Sequence, residues 1–415
     1  MQNKEMLWQR LCDEANKKGG NGEEIVEAYK ELYSVHSDRI CTWLGGLFDS
    51  EIGGFYYSNS ARDNEYQEID GVKHYFLPDI ESTNQATNFM QSSGMIKSFD
   101  DIPEWMRKKM IAFNCSLQDP DDGYIYHPQW KKNIKDNRRG RDMMWSISME
   151  EKFHFKLPYK TAVERLQEGS DNPDQKDELL KNLPDHLKSK EAYLKYLEGL
   201  DWDTKAYPSA NLISAQQLQI KAAGLERVTY DFINSIQNPD GTWGSLGGYH
   251  AVNAILKLGS VYMNYPMPNP LGVAKAALNC IALDTRVDTV CWQYNAWFTL
   301  RNVLLNLRSF GNKNEADEIV AEVLRLAPAG IRSSAKKART FMCEDGSYSY
   351  TPEFSSCTSQ GARVSLGLKE GDVNATNINC TGVIHNSLRA LELNEFYVPV
   401  FDESGFEKFI NAVKK

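Results

Sequence analysis

Four segments of this chain repeat one plan: an apolar helical stretch, an acidic turn, a glycine and then aromatic residues. They are 48–57, 117–126, 236–243 and 342–350. An internal repeat constrains architecture more than any single motif, because each unit must bury its apolar face against the next. The turn chemistry is explicit in Gln237-Asn-Pro-Asp-Gly-Thr-Trp243: Pro fixes φ, Asp bonds back to the backbone and Gly accepts positive φ. Gly54 and Gly123 are 69 residues apart, Gly123 and Gly241 are 118 apart, and Gly241 and Gly346 are 105 apart. The last two gaps are each about twice a unit of roughly 55 residues, so six units fit, each an outer helix, a turn and an inner helix.

The helix pattern agrees with that count. Outer helices are expected near 23–44, 103–117, 160–200, 223–236, 270–283 and 313–343. Inner helices are expected near 79–92, 141–153, 209–222, 248–261, 289–307 and 376–392. Start signals stand at Pro78-Asp79, Ser209, Asp288-Thr289 and Asn374, and Gly94, Gly224 and Gly259 are expected stops. The stretch 166–186, rich in Asp, Asn, Pro and Lys, reads as a solvated insertion in the third unit. No linker divides the chain, so residues 1–415 are expected to form one all-α domain, an (α/α)6 toroid.

The segment Gln237–Trp243 resembles the QW repeat of the terpenoid cyclase and protein prenyltransferase superfamily, and Gln118–Tyr124 is a weaker copy with Tyr in the Trp position. The resemblance covers the repeat pattern of nearly the whole chain. It implies an α/α toroid and says little about activity. By resemblance to class II cyclases, Asp119-Pro120-Asp121-Asp122 matches an Asp-x-Asp-Asp pattern whose middle Asp, here Asp121, donates the proton. Within a Pro- and Gly-containing turn, however, the motif reads as surface. Prenyltransferase-type zinc needs Asp, Cys and His. Cys357, Asp372, Cys380 and His385 supply the types without a matching spacing, and no metal and no cofactor are expected.

A net charge of −9 over 415 residues disfavours a general nucleic-acid binder. No apolar run reaches the roughly 20 residues that span a bilayer, and the polar N-terminus lacks the apolar core of a secretory signal. Eight cysteines without a Cys-x-x-Cys pair read as buried thiols of a reducing compartment, so a cytoplasmic location is expected. Oligomeric state is open.

In a toroid the inner helices run parallel and their N-termini converge at one mouth, where unpaired N–H groups and the dipole favour anionic or hydroxyl-rich ligands. Residues at those starts are therefore the site candidates. Asp79, Glu81 and Asp142 are the acids, and a glycosidase needs two carboxylates from different helices. His250 with Tyr249 supplies an acid–base pair after Gly247-Gly248. Arg141, Trp145, Tyr124, His127, Trp292, Gln293, Tyr294, Asn295 and Asn379 are the expected substrate-binding residues, a mixture of polar and aromatic groups that suits a saccharide. The basic run Arg138-Arg139-Gly140-Arg141 reads either as a solvated loop or as a mark of an anionic substrate group. The first expectation is a glycoside hydrolase acting on an oligosaccharide. The alternatives are a uronate lyase with a Tyr or His base and Arg/Asn neutralisation, a terpene-cyclase-like isomerase, and a toroid that only binds a glycan or partner.

Overall fold

A computed structural model of the chain describes residues 4–168, 183–283 and 285–413, and these are mostly helical. The expected insertion at 166–186 lies largely outside the described residues. Three short antiparallel strand pairs are present, the longest pairing Tyr66–Ile69 with Val72–Tyr75. Among the described residues no helix is long and apolar enough to cross a membrane.

Among the described helices, six pack in succession against one another. We label them α1 (Ile80–Ser93), α2 (Asp136–Phe153), α3 (Ala206–Ala215), α4 (Tyr249–Leu258), α5 (Val290–Ser309) and α6, which runs from Val373–Asn377 through a π-helical turn at Ile378–Gly382 into Val383–Ala390. In α1 even Glu81, Ser82, Thr83, Asn84 and Thr87 are buried, the mark of a helix with neighbours all round. Helix Glu226–Ser235 differs: only Thr229 and Ile233, one turn apart on one face, are buried. Each of α1 to α5 packs against the next, and α6 packs against both α5 and α1. Helix α6 runs parallel to both α5 and α1, as the paired contacts require: Gln293 meets Asn379 and Arg301 meets Asn386 between α5 and α6, while Gln85 meets Asn377 and Ser92 meets Thr381 between α1 and α6.

The repeated turns carry one device. The Gln237 amide donates to Gly241 O and Pro268 O, both at 3.0 Å. The Gln118 amide likewise donates to Gly123 O at 3.4 Å and Tyr159 O at 2.7 Å. Each glutamine thus pins its own turn to the chain entering the next peripheral helix, Pro270–Ala282 or Ala162–Glu168. The turn glycine lies against that same entry. A Cβ on Gly123, at φ +75°, would sit 2.3 Å from Lys160 O, and one on Gly241, at φ +87°, would sit 2.8 Å from Val273 N. Gly346 packs against Arg39 and Ile40, the start of helix Arg39–Gly46, so the last turn meets the first unit. In the first turn the left-handed residue is Gly53, one before the Gly54 used for spacing.

Helix bounds depart from expectation in several places: the run expected at 23–44 is two helices, Gly22–Tyr33 and Arg39–Gly46, and the one expected at 209–222 breaks at Gln216. Helix α2 begins at Asp136, about five residues early. Helix α3 begins at Ala206 without a side-chain cap, and Ser209 inside it bonds Asp201 O instead. Helix α6 begins earlier than Asn374 because Asp372 accepts from Ala375 N at 2.7 Å. Gly259 follows α4 at φ −53°, so it ends the helix without a left-handed residue. Asp79 does cap α1, accepting from Ser82 N at 2.9 Å, and Gly94 ends it at φ +89°. One hydrophobic core contains residues from Trp8 to Val413.

Candidate functional site

Helix α2 places two arginines one turn apart and gives them opposite surroundings. Arg138 has no exposed surface. Its guanidinium lies 2.8 Å from Asp142 Oδ1, 2.9 Å from Glu81 Oε2 and 3.5 Å from Asp79 Oδ1. Trp130 covers it at 4.2 Å and Trp145 at 5.3 Å from their ring centroids. Three carboxylates share one cation in a dry setting, where separated charge is costly. Burial accordingly pushes the Asp142 carboxyl up to about 7 and raises that of Glu81, while the three acids drive Arg138 further up. The cluster therefore retains a proton near neutrality.

Arg141 sits in the wall of a cavity of about 330 Å³ to which all six central helices contribute. Among the described residues it has no hydrogen bond or ion pair. Its Nε is buried without a partner, the Trp145 ring lies 5.6 Å away, and Glu81, Tyr207 and Tyr294 act on it through the shared space without bonding it. Burial lowers its pKa. Lys257, near the end of α4, reaches the same cavity and also has no hydrogen-bond or ion-pair partner among the described residues; the Tyr207 ring is 5.8 Å from its Nζ. Burial first, and the neighbouring Arg141 charge second, bring its pKa down to about 7.

The rest of the wall is hydroxyl, amide and aromatic: Tyr57, Tyr207, Tyr294 and Tyr350 with Gln85 and Asn295. Burial raises Tyr57, Tyr207 and Tyr294, the last to about 12, and the Cys291 thiol to about 11, while Tyr350 is raised first by neighbouring Cys291 and then by burial, so these groups stay protonated. Among the described residues Glu81 is the only carboxylate in the wall.

The structure divides the expected residues into four groups. Glu81, Arg141, Trp145, Tyr294 and Asn295 meet in this cavity. His250 and Trp292 line an adjoining cavity of about 340 Å³ that shares Tyr207, Cys291, Asn295 and Tyr350 with the first. Asp79 and Asp142 stand behind Glu81 on Arg138. Tyr124, His127, Tyr249, Gln293 and Asn379 are in the packing between helices. Tyr124 is fully buried beside Met143 and Val163. His127 accepts from Gln129 N on Nδ1 and donates from Nε2 to Pro78 O at 2.5 Å, and burial brings it down to about 4. Tyr249 donates to Cys280 O and receives Lys337 Nζ, both at 2.8 Å, which turns it toward the periphery. Gln293 donates to Asn379, which donates to Ala338 O.

Reading the sequence missed Lys257 and Tyr207. The signal for Lys257 was its position four residues after Asn253, on the same face of α4.

Asp121 is exposed in its turn, where Asp119 Oδ1 accepts from the backbone N–H groups of Asp121 and Asp122. Among the described residues no three His, Cys, Asp or Glu side chains are grouped to hold a metal ion. The Cys380 side chain is buried, and His385 Nε2 is engaged by Ser92 O at 2.7 Å. Comparison with models of protein families, with curated proteins and with solved structures finds no match.

Proposed function

We propose that the six central helices and their peripheral partners form an (α/α)6 toroid whose cavity binds an acidic sugar and cleaves its chain by β-elimination. One observation carries this reading: Arg141 and Lys257 bring two cationic side chains into one cavity, neither has a hydrogen-bond or ion-pair partner among the described residues, and the one carboxylate near both, Glu81, is already paired to Arg138. Burying unpaired charge costs stability, and a ligand carboxylate offsets that cost where a neutral sugar does not. The tyrosine and amide wall suits the hydroxyls and ring faces of a saccharide.

The chemistry follows from the charges. Arg141, with Asn295 beside the same space, pairs with the uronate carboxylate and makes the C5 proton more acidic. Lys257, whose amine is about half neutral at pH 7, takes that proton. The C5–H electrons form the C4=C5 double bond, the C4–O bond breaks, and the leaving oxygen takes a proton from Glu81, whose carboxyl burial keeps protonated more readily than usual. The products are a shortened chain and an unsaturated uronate. Lys257 suits the base role better than the cavity tyrosines, which burial holds protonated, and His250 lines the adjoining cavity.

Hydrolysis is the second reading, favoured by the protonatable Glu81 carboxyl. It needs a second carboxylate on the opposite wall, and Asp79 and Asp142 are both committed to Arg138. An apolar cyclase pocket fits the polar wall poorly, and pure binding leaves the Glu81 and Lys257 pair unused. Eight free thiols, four buried and four partly buried, suit a reducing cytoplasm. The test is a panel of neutral and uronic oligosaccharides, read by mass spectrometry and by the ultraviolet absorbance of unsaturated products. Unsaturated products that appear with rising pH through about 7 and fall by roughly 10²-fold or more in Lys257→Met support elimination. Saturated products lost in Glu81→Gln and retained in Lys257→Met support hydrolysis instead.

A further inference from the structure

The mouth cavity does not close at Lys257. Ser214 and Lys257 are walls of a further cavity, of about 440 Å³, on the C-terminal side of α3, α4 and α5. Its charged walls are Lys257 and Arg301, and among the described residues no acidic one lines it. Arg301 donates to Asn386 Oδ1 at 3.5 Å and lies 4.9 Å from the Phe298 ring centroid, its Nε is buried without a partner, and it has no ion pair among the described residues. Burial and the like charge of Arg389 both hold its pKa down. The surrounding wall is apolar and amide, with Leu256, Met267, Phe298 and Asn302.

The partition between the two cavities is short. Helices α3 and α4 have ten residues each, against twenty in α5, so at about 1.5 Å per residue they rise roughly 15 Å. Arg141, Lys257 and Arg301 thus follow one another through two adjoining cavities, in a chain whose net charge is −9. Three cations without an ion pair among the described residues, with Glu81 near the first two already paired to Arg138, point to a ligand that carries negative charge along its length.

We infer that the Arg301 cavity is a distal subsite for a second acidic group of the same ligand, so that the protein takes an oligosaccharide with at least two acidic residues in preference to a single uronate. This rests on the acidic-sugar reading of the mouth cavity. The test is titration calorimetry of galacturonate, its trisaccharide and the methyl-esterified trisaccharide against the full chain, with Arg301→Gln and Arg301→Lys checked for folding by thermal melts. The trisaccharide should bind wild type at least about tenfold tighter than the monomer, the increment of one charge-assisted contact. Esterification should abolish that gain. Arg301→Gln should cut it to below about threefold, and Arg301→Lys should retain most of it, on the same scale. A gain that survives esterification or Arg301→Gln, or no gain with length in wild type, overturns the distal subsite while leaving the mouth site in place. Failure of every uronate to bind overturns both.

Discussion

Arg138 and Arg141 lie three residues apart on one helix, and the protein treats them as different instruments. Arg138 is enclosed by Asp79, Glu81, Asp142 and the Trp130 ring, with every charge answered from within the chain. Arg141 has the same guanidinium, is partly exposed to the cavity, and has no ion pair among the described residues; Glu81 acts on it only from a distance. An internally neutralised cation fixes structure, because removing it strands its partners. A cation left without one is a standing cost that a ligand can offset. Glu81 stands between the two, paired to Arg138 and facing the space into which Arg141 projects.

The comparison breaks first at Arg138. Arg138→Met leaves three buried carboxylates without their cation and should cost about 3–5 kcal/mol in urea unfolding. Protonation removes the stranded charge, so the loss should shrink as pH falls toward 4. A loss that is small at pH 7 would erase the distinction between the two arginines. Arg141→Met should instead fold as well as wild type and bind a uronate about 10- to 100-fold more weakly, the loss of one charge-assisted pair. Calorimetry beside a thermal melt separates these outcomes.

Two pH effects sharpen the contrast. Asp142 titrates near 7 in the folded state and near 3.9 when unfolded. Below both values it costs nothing, and as pH rises from about 4 to 7 the unfolded chain ionises first and the fold loses stability. Asp142→Asn should remove that decline, which amounts to at most about 1.4 kcal/mol per pH unit. Urea midpoints across pH 4–8 measure it, and parallel curves for variant and wild type count against a proton held on Asp142. Lys257 runs the other way. Its folded pKa of about 7 lies below the unfolded value, so stability is lost as pH falls from about 10 to 7. Lys257→Met should therefore be more stable than wild type at pH 7, by at most about 4 kcal/mol, with the advantage fading toward pH 10. Destabilisation at pH 7 would mean that the amine has a structural partner.

The helical character of the chain and its repeated turns could be read from the sequence. Gln118 and Gln237 mark turns that pin one unit to the next, and the apolar pattern with its start residues placed the beginnings of the six helices to within about five residues. The site was less legible because charge pairing is a property of three dimensions. The basic run 138–141 looked uniform from the sequence. Starting α2 at Asp136 instead of near 141 turns Arg138 and Asp142 into neighbours one turn apart. Gly140 then lets α2 approach α3, where a Cβ would lie 2.4 Å from Ala215 O. Lys257 escaped because the site residues were sought in the first turn of each inner helix, whereas α4 is so short that its last turn still reaches the cavity.

The most direct test of the central claim is titration of glucuronate and glucose, in parallel, into wild type and Arg141→Met at low salt. The account predicts that wild type prefers the acid about 10- to 100-fold, the range of a charge-assisted contact, and that Arg141→Met abolishes the preference. Equal binding of the two sugars by wild type, or an acid preference that survives Arg141→Met, would contradict it.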